Sequence, residues 1–325
     1  MDFELSIVDN ILDNIKDLRK KLPKPVLLSM VLKNYFTTRS LSYVDIGILV
    51  YKNTKDVDVF CIIDVLDGIK LREHGVTIPL VLLYWHPAEK ADIMSRYQIQ
   101  PAVLNKEWIK TAEQVLQQAN ITTPLLVHLW IDVGMGREGV NPEDSLSLAT
   151  EIHKSPYLKL HGIGAHFPEH MVTNENCTKW IKHGIYDTYQ SIFEKSIEKL
   201  TKENLLASDV IIHAATSNMI FLDFNELYYN MARIGTLIYY GNKPYQTFYQ
   251  PILQIKEISL YSYNHKHFTH PTRVAMIELS GNRLKKMEFW LEETQLYELQ
   301  PGIFDVSDLK CKIGDPIKIL VKYKI

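Results

Sequence analysis

Eight short apolar runs, most of them followed by a stretch of helical spacing, constrain this 325-residue chain more than any other feature. The runs cover residues 26–33, 57–64, 78–85, 100–104, 125–132, 158–167, 209–214 and 231–239. They are β-branched or aliphatic and of strand length. The stretches between them, such as 65–75, 107–119, 142–154 and 175–204, carry apolar residues three and four apart. Such alternation fits a closed (β/α)8 barrel or an open doubly wound sheet. An open nucleotide-binding sheet calls for a Gly-x-Gly-x-x-Gly turn opening a helix, and the one match to that spacing, GMGREG at 134–139, does not open one. The expected fold class is therefore α/β, a (β/α)8 TIM-type barrel. Residues 1–22 add a leading helix, with Ile7, Ile11, Ile15 and Leu18 at helical spacing.

The texture changes after Gly241. The segments PILQIKEISLYSY, RVAMIELS, KKMEFWLEETQLYEL and PIKILVKYKI read as strands with little helical pattern. Turn residues in GNKPYQTFYQP mark the boundary. The expected domains are a barrel with its leading helix over 1–240 and a smaller, mostly β domain over 241–325.

Composition narrows the function. A net charge of -2 gives no basic footprint for nucleic acid. No apolar run is long enough for a membrane span. The three cysteines, Cys61, Cys177 and Cys311, form no CxxC pattern. The N-terminal MDFELSIVDN lacks the layout of a signal peptide, so a cytoplasmic location is expected.

A barrel of this kind carries its active site at the C-terminal ends of its strands. Lys33 closes the first run, Arg137 follows the fifth, His166 closes the sixth, Ser217 follows the seventh and Arg233 lies in the eighth. Each has a plain structural reading beside the chemical one. Lys33 is either a solvated charge or an amine whose pKa is depressed by a neighbouring cation, able to attack a carbonyl. Arg137, in GMGREG, lies in ordinary turn chemistry or in a loop where glycines let the backbone approach a flat ligand. His166 reads as a core histidine or a site group. Ser217 caps a helix, and the same geometry binds phosphate. Arg233, facing inward, needs a partner. His161, His166 and His170 have ligand-like spacing, but the odd step from 161 to 166 turns them to opposite faces, and no metal is expected. YNHKHFTH reads as an exposed turn.

Taken in order, VLLSMVLK, HLWIDVGMGREG, GIGAHF, IIHAATS and NMARIGTLIYYG resemble the conserved segments of the alanine racemase family, the fold-type III enzymes of pyridoxal 5'-phosphate (PLP). FCIIDVLDGIKLREHGVTIPLVLLYW, HPTRVAMIEL and KIGDPIKIL extend the resemblance over most of the chain. It implies a PLP-dependent amino-acid racemase, a cytoplasmic head-to-tail homodimer acting on an amino acid. Lys33 would carry the cofactor as the internal aldimine and act as one base. Arg137 would meet the cofactor's phenolic oxygen and the substrate carboxylate. Ser217, with Thr216, Gly235 and Thr236, would grip the phosphate. Arg233 would face the pyridine nitrogen, His166, as a catalytic group, would orient the group beside it or a second base, and Tyr35 or Thr37 would replace a family tyrosine.

The chain also departs from the family, as a divergent member with a trimmed second domain. NYFTTRS replaces an AYGHG-type segment, Trp130 stands where many relatives have a modifiable lysine, and Thr216 where asparagine is usual. ELSGNRLKKM lacks the tyrosine that serves the family as second base, and YELQPG replaces another substrate-site motif. Tyr263, His265, His267 and Ser280 are the replacement candidates. A racemase needs acid–base groups on both faces of the α-carbon. The alternatives are therefore a PLP enzyme of the same fold doing one-face chemistry (decarboxylation, elimination or aldol cleavage), or a PLP-binding protein with little turnover.

Overall fold

The computed structural model describes residues 2–33, 41–167, 186–221, 223–241, 245–252, 254–258, 272–276, 286–296, 298–300, 303–312 and 314–322. Tyr35, Thr37, His170, Tyr263, His265, His267 and Ser280 lie outside them. The chain divides into two compact units, one holding residues 6–35 and 40–241, the other built on 242–325.

The first unit is a parallel barrel. Its strands are β1 (Leu27–Val31), β2 (Val59–Ile62), β3 (Leu80–Leu82), β4 (Ile99–Gln100), β5 (Ala102–Val103), β6 (Leu125–Trp130), β7 (Leu158–Gly164), β8 (Ile211–His213) and β9 (Met231–Ile234). Two hydrogen-bonded runs, β4-β3-β2-β1-β9 and β5-β6-β7-β8, make up the wall. Pro101 lies between β4 and β5, so these two are one staggered strand position. It pairs with β3 through Ile99 and Gln100, and with β6 through Ala102 and Val103. Having no N–H, Pro101 joins the ladder only through its carbonyl, which accepts from the His128 N–H at 2.9 Å. The seam closes where the Asn230 N–H donates to Ile212 O (3.2 Å) and the Arg233 N–H to Ala215 O (3.0 Å). Eight strand positions result, one on each of the eight apolar runs, the fourth opening one residue early at Ile99.

One run is cut short. A strand is expected to Tyr239, but β9 ends at Ile234, and Thr236–Tyr240 is a short helix. Gly235 leaves the extended region (φ -115, ψ -81), and the Ser217 hydroxyl accepts the N–H groups of Gly235 and Leu237. The backbone is thus drawn into a turn that apolar patterning alone does not reveal.

The helices form where apolar spacing and caps agree. In α1 (Asp2–Lys21), Ile7, Ile11, Ile15 and Leu18 are buried along one face. Ile11 and Ile15 are fully enclosed, each contributing roughly 1.5–3 kcal/mol. Arg19 and the Leu28 N–H both donate to Asp58 Oδ2, tying α1 to the start of β1 and β2. α2 (Tyr43–Asn53) opens with a capping box between Ser42 and Asp45, and α3 (Val65–Glu73) with Asp64 accepting from the Leu66 N–H. α4 (Ala91–Arg96) follows β3, and α5 (Lys106–Gln118), capped by Asn105, buries Trp108, Ile109, Ala112 and Leu116. α6 (Ser145–Lys154) and α7 (Tyr186–Lys202) complete the longer helices of this unit. No described helix is long and apolar enough to cross a membrane.

The second unit is antiparallel. One sheet runs β10 (Tyr245–Pro251), β17 (Pro316–Lys322), β13 (Lys286–Leu291), β14 (Thr294–Leu296). The other runs β11 (Gln254–Ile258), β12 (Thr272–Met276), β16 (Ile303–Asp305), β15 (Glu298–Gln300).

Candidate active site

Alternate residues of each barrel strand point inward. An apolar cluster of Val31, Val59, Cys61, Val81, Ile211 and Met231 fills part of the interior. Burial pushes the Cys61 thiol up to about 11, so it packs there as an unreactive thiol. At the C-terminal ends of the strands a cavity of about 290 Å³ opens. Lys33, Arg137, His166, Thr216, Ser217, Arg233, Gly235 and Thr236 all line it, together with Tyr84, Trp130 and Glu138. Every expected site residue among the described ones thus meets at one mouth.

Their settings differ from expectation in three places. Lys33 is exposed at the rim rather than withdrawn from solvent. Arg233 is buried as expected, but its partners belong to the protein. It donates to the carbonyls of Ala165 (2.6 Å) and Ala214 (3.3 Å) and to His213 Nδ1 (3.0 Å), and its guanidinium lies 4.7 Å from the centre of the Trp130 ring. Ser217 opens the helix Ser217–Phe221, yet its hydroxyl serves the neighbouring turn at Gly235 and Leu237, holding the two loops together at the floor of the cavity.

The loop carrying Arg137 is built on Asp132. Its carboxylate accepts the N–H groups of Gly134 and Gly136 at 2.9 Å each. The Val140 N–H donates to Trp130 O (2.8 Å), and the Asp132 N–H donates to Val140 O (2.9 Å), closing the base. Gly139 has φ +124, and a Cβ there would meet Asp132 N at 2.5 Å. The glycines therefore fold the loop back on its own strand, a nearer cause than the approach of a ligand. Arg137 emerges with its Nε donating to Glu138 and its guanidinium 6.0 Å from the Tyr84 ring centre. The Glu138 side chain is only 10% exposed, and Arg137 is its ion-pair partner.

Behind Arg233 runs a relay that the sequence reading does not contain. Arginine only donates, so His213 Nδ1 must accept. His213 Nε2 then carries the proton and donates to His128 Nδ1 (2.9 Å). His128 Nε2 in turn donates to Gln100 Oε1 (2.8 Å). His128, His213 and Gln100 are buried, and both imidazoles are neutral. Burial first, then His161 and Arg233, push His128 down to about 3, while burial, Arg233 and His128 hold His213 well below the usual range. The space comes from β7, where a Cβ on Gly162 would lie 2.1 Å from His128 Nδ1 and one on Gly164 2.5 Å from His213 Cε1. The readable signal was there: inward-register histidines in HLW and IIH, beside glycines two apart in GIG. His161 makes an edge contact with His128 at 6.2 Å, while His166 lines the cavity.

The strand-end cavity with an amine, two guanidiniums, an imidazole and a hydroxyl makes this a (β/α)8 barrel with a cationic ligand-sized site at its C-terminal face. The model of the alanine racemase N-terminal domain matches residues 8–243, and the chain belongs to that family. It is similar to the alanine racemase of Treponema denticola, 28% identical over 232 residues, covering 71% of this chain and 58% of the relative. It is also similar to alanine racemase 2 of Clostridium acetobutylicum, 31% identical over 183 residues, covering 56% of this chain and 43% of the relative. The matches thus span less than two thirds of these curated relatives. In fold it resembles the alanine racemase of Clostridium difficile 630 (TM-score 0.73, 21% identity, 99% of this chain and 85% of that one). It also resembles that of Bartonella henselae with covalently bound pyridoxal phosphate (TM-score 0.69, 17% identity, 96% and 88%).

Proposed function

We propose that this protein is a PLP-dependent amino-acid racemase whose cofactor sits in the strand-end cavity. The observation that carries the reading is the convergence of Lys33, Arg137, His166, Ser217 and Arg233, from five separate strand positions, on one cavity. The donor set fits the group. PLP presents an aldehyde, a phenolic oxygen, a pyridine nitrogen and a phosphate, and the cavity offers an amine, two guanidiniums and a hydroxyl-bound loop pair.

In this reading Lys33 holds the cofactor through its amine and moves the proton at the substrate α-carbon. Ser217, Thr216 and the Gly235–Thr236 backbone hold the phosphate. Arg137, steadied by Glu138, takes the phenolic oxygen and orients the substrate carboxylate. His166 orients the groups beside Arg233. When bound, PLP supplies an electron-withdrawing ring conjugated to the substrate nitrogen, which acidifies the α-C–H. Arg233, permanently protonated, would lie toward the ring nitrogen and would keep it unprotonated, which would moderate the withdrawal. Tyr35 belongs to the proposed site from the sequence alone. The proposal includes a cytoplasmic homodimer that shares residues between subunits.

Borohydride reduction followed by peptide mapping tests the core of this. Label on Lys33 is expected, and none on Lys33→Ala; a wild-type chain that takes up no label refutes it. The tyrosine-free stretch ELSGNRLKKM keeps one-face chemistry as the second reading. Exchange of the α-proton in deuterated solvent separates the two, since inversion requires two faces and retention only one. Lys33 variants mixed with second-domain variants regain activity only if subunits share the site.

A further inference from the structure

We infer that the opposite end of the barrel holds a second ligand site, which takes a small organic oxyanion with an apolar body. A cavity of about 560 Å³ opens there, beneath the starts of β3, β4 and β6. Ligand pockets span roughly 300–1,000 Å³, so the space is of ligand size. Arg72, Arg96, Gln100, Ile121, Pro124 and Leu126 belong to its lining. The N-terminal face of such a barrel ordinarily serves stability alone, and a cavity with this lining sets the chain apart.

The charge of the lining is one-sided. Arg72, partly buried, donates to the carbonyls of Tyr97 (2.9 Å), Val76 (2.7 Å), Ile78 (2.8 Å) and Gln98 (3.1 Å). Those bonds fix the guanidinium in place but give it no carboxylate among the described residues. Burial holds its pKa below the ordinary arginine value. Arg96, exposed at the end of α4, makes no hydrogen bond or ion pair among the described residues. No acidic side chain lines the cavity among the described residues. The helices α3, α4 and α5 end on this side of the barrel, each bringing about half a negative charge at its C-terminus. Together they fall short of the two cations. Gln100 adds a directional donor. Its Oε1 accepts from His128, so Nε2 is the other end of the amide, and it makes no hydrogen bond among the described residues. Gln100 keeps 6% of its surface exposed and lines this cavity, so an oxyanion held there would rest at the foot of the relay to Arg233. A free guanidinium and an amide N–H select an oxyanion, while Ile121, Pro124 and Leu126 offer an apolar wall to the rest of the molecule.

The test titrates the full chain with 3-phenylpropionate and, separately, with the neutral 3-phenylpropanol. In ¹H–¹³C spectra the methyl signals of Ile121 and Leu126 report on this cavity, and those of Ile63 report on the strand-end cavity. Ile121→Val, Leu126→Met and Ile63→Val assign them. The acid is expected to shift the Ile121 and Leu126 signals saturably at millimolar concentration, and the alcohol to bind more weakly. Arg96→Ala should weaken the acid's binding about tenfold. That side chain is exposed and makes no bond among the described residues, so the fold is kept, and Arg72 stays untouched. Shifts confined to Ile63, no shift at all, an alcohol bound as tightly as the acid, or an Arg96→Ala chain that binds like wild type each overturn the inference. Labelling of Lys33 by borohydride has no bearing on it, so it stands or falls apart from the proposed function.

Discussion

His128 makes the stability of the barrel depend on acid in a way that can be calculated. Its ordinary value of 6.5 falls to about 3 in the folded chain, mainly because the ring is fully buried. The groups facing it, His161, His213 and Arg233, offer no negative charge in return. The sign follows directly. Between pH 3 and 6.5 the unfolded chain binds a proton that the folded chain refuses, so stability falls as pH falls through that window. For one site with these two values, the loss between pH 7 and pH 5 is about 2 kcal/mol, reaching about 3 kcal/mol by pH 4. Urea unfolding followed by tryptophan emission, at pH 7 and pH 5, measures it in wild type and in His128→Gln. The variant lacks the titrating group while His213 and the carboxylates remain, so the difference between the two pH dependences isolates His128. Wild type is expected to lose about 2 kcal/mol more than the variant over that interval. Equal losses would refute the claim that a neutral imidazole is locked in the barrel.

Three further expectations rest on separate contacts. Gly162→Ala drives a methyl into the His128 ring, and overpacking plus a broken relay should cost about 3 kcal/mol or more in urea unfolding. Arg137→Ala strands the Glu138 carboxylate; with the arginine half exposed the cost should be about 1–2 kcal/mol, and adding Glu138→Gln should restore most of it in a double-mutant cycle. Asp58→Ala removes the acceptor shared by Arg19 and the Leu28 N–H, and should lower stability by about 1–3 kcal/mol, visible as a lower urea midpoint with an unchanged slope.

The sequence was most legible where local pattern and tertiary demand agree. The eight apolar runs each carry a barrel strand because most of their residues are buried, leaving a largely aliphatic signal that only β7, with Lys159 exposed, interrupts. The strand-end residues Lys33, Arg137, His166, Ser217 and Arg233 could be picked because a barrel exposes that one end for chemistry. What stayed hidden depends on cross-strand geometry. The Gly235 turn follows from a hydroxyl eighteen residues earlier in the chain, which no window of apolar spacing contains. Gln100, His128 and His213 come from three strands, and their hydrogen bonds exist only once the barrel closes. Glu138 carries no signal of its own in the sequence, yet it balances the charge of the arginine beside it.

Gly162 and Gly164 carry a consequence for how such a chain can change over time. The volume each glycine leaves empty is occupied by an imidazole from a neighbouring strand, so the two sites form interlocked couples, 162 with 128 and 164 with 213. Neither member of a couple can drift alone: a larger residue at 162 has no room while histidine stands at 128, and a smaller one at 128 opens a void that only a side chain at 162 can refill. Substitutions at these positions should therefore arrive in matched pairs. The same coupling sets a laboratory rule, that His128→Ala should make alanine at 162 tolerable where it otherwise is not.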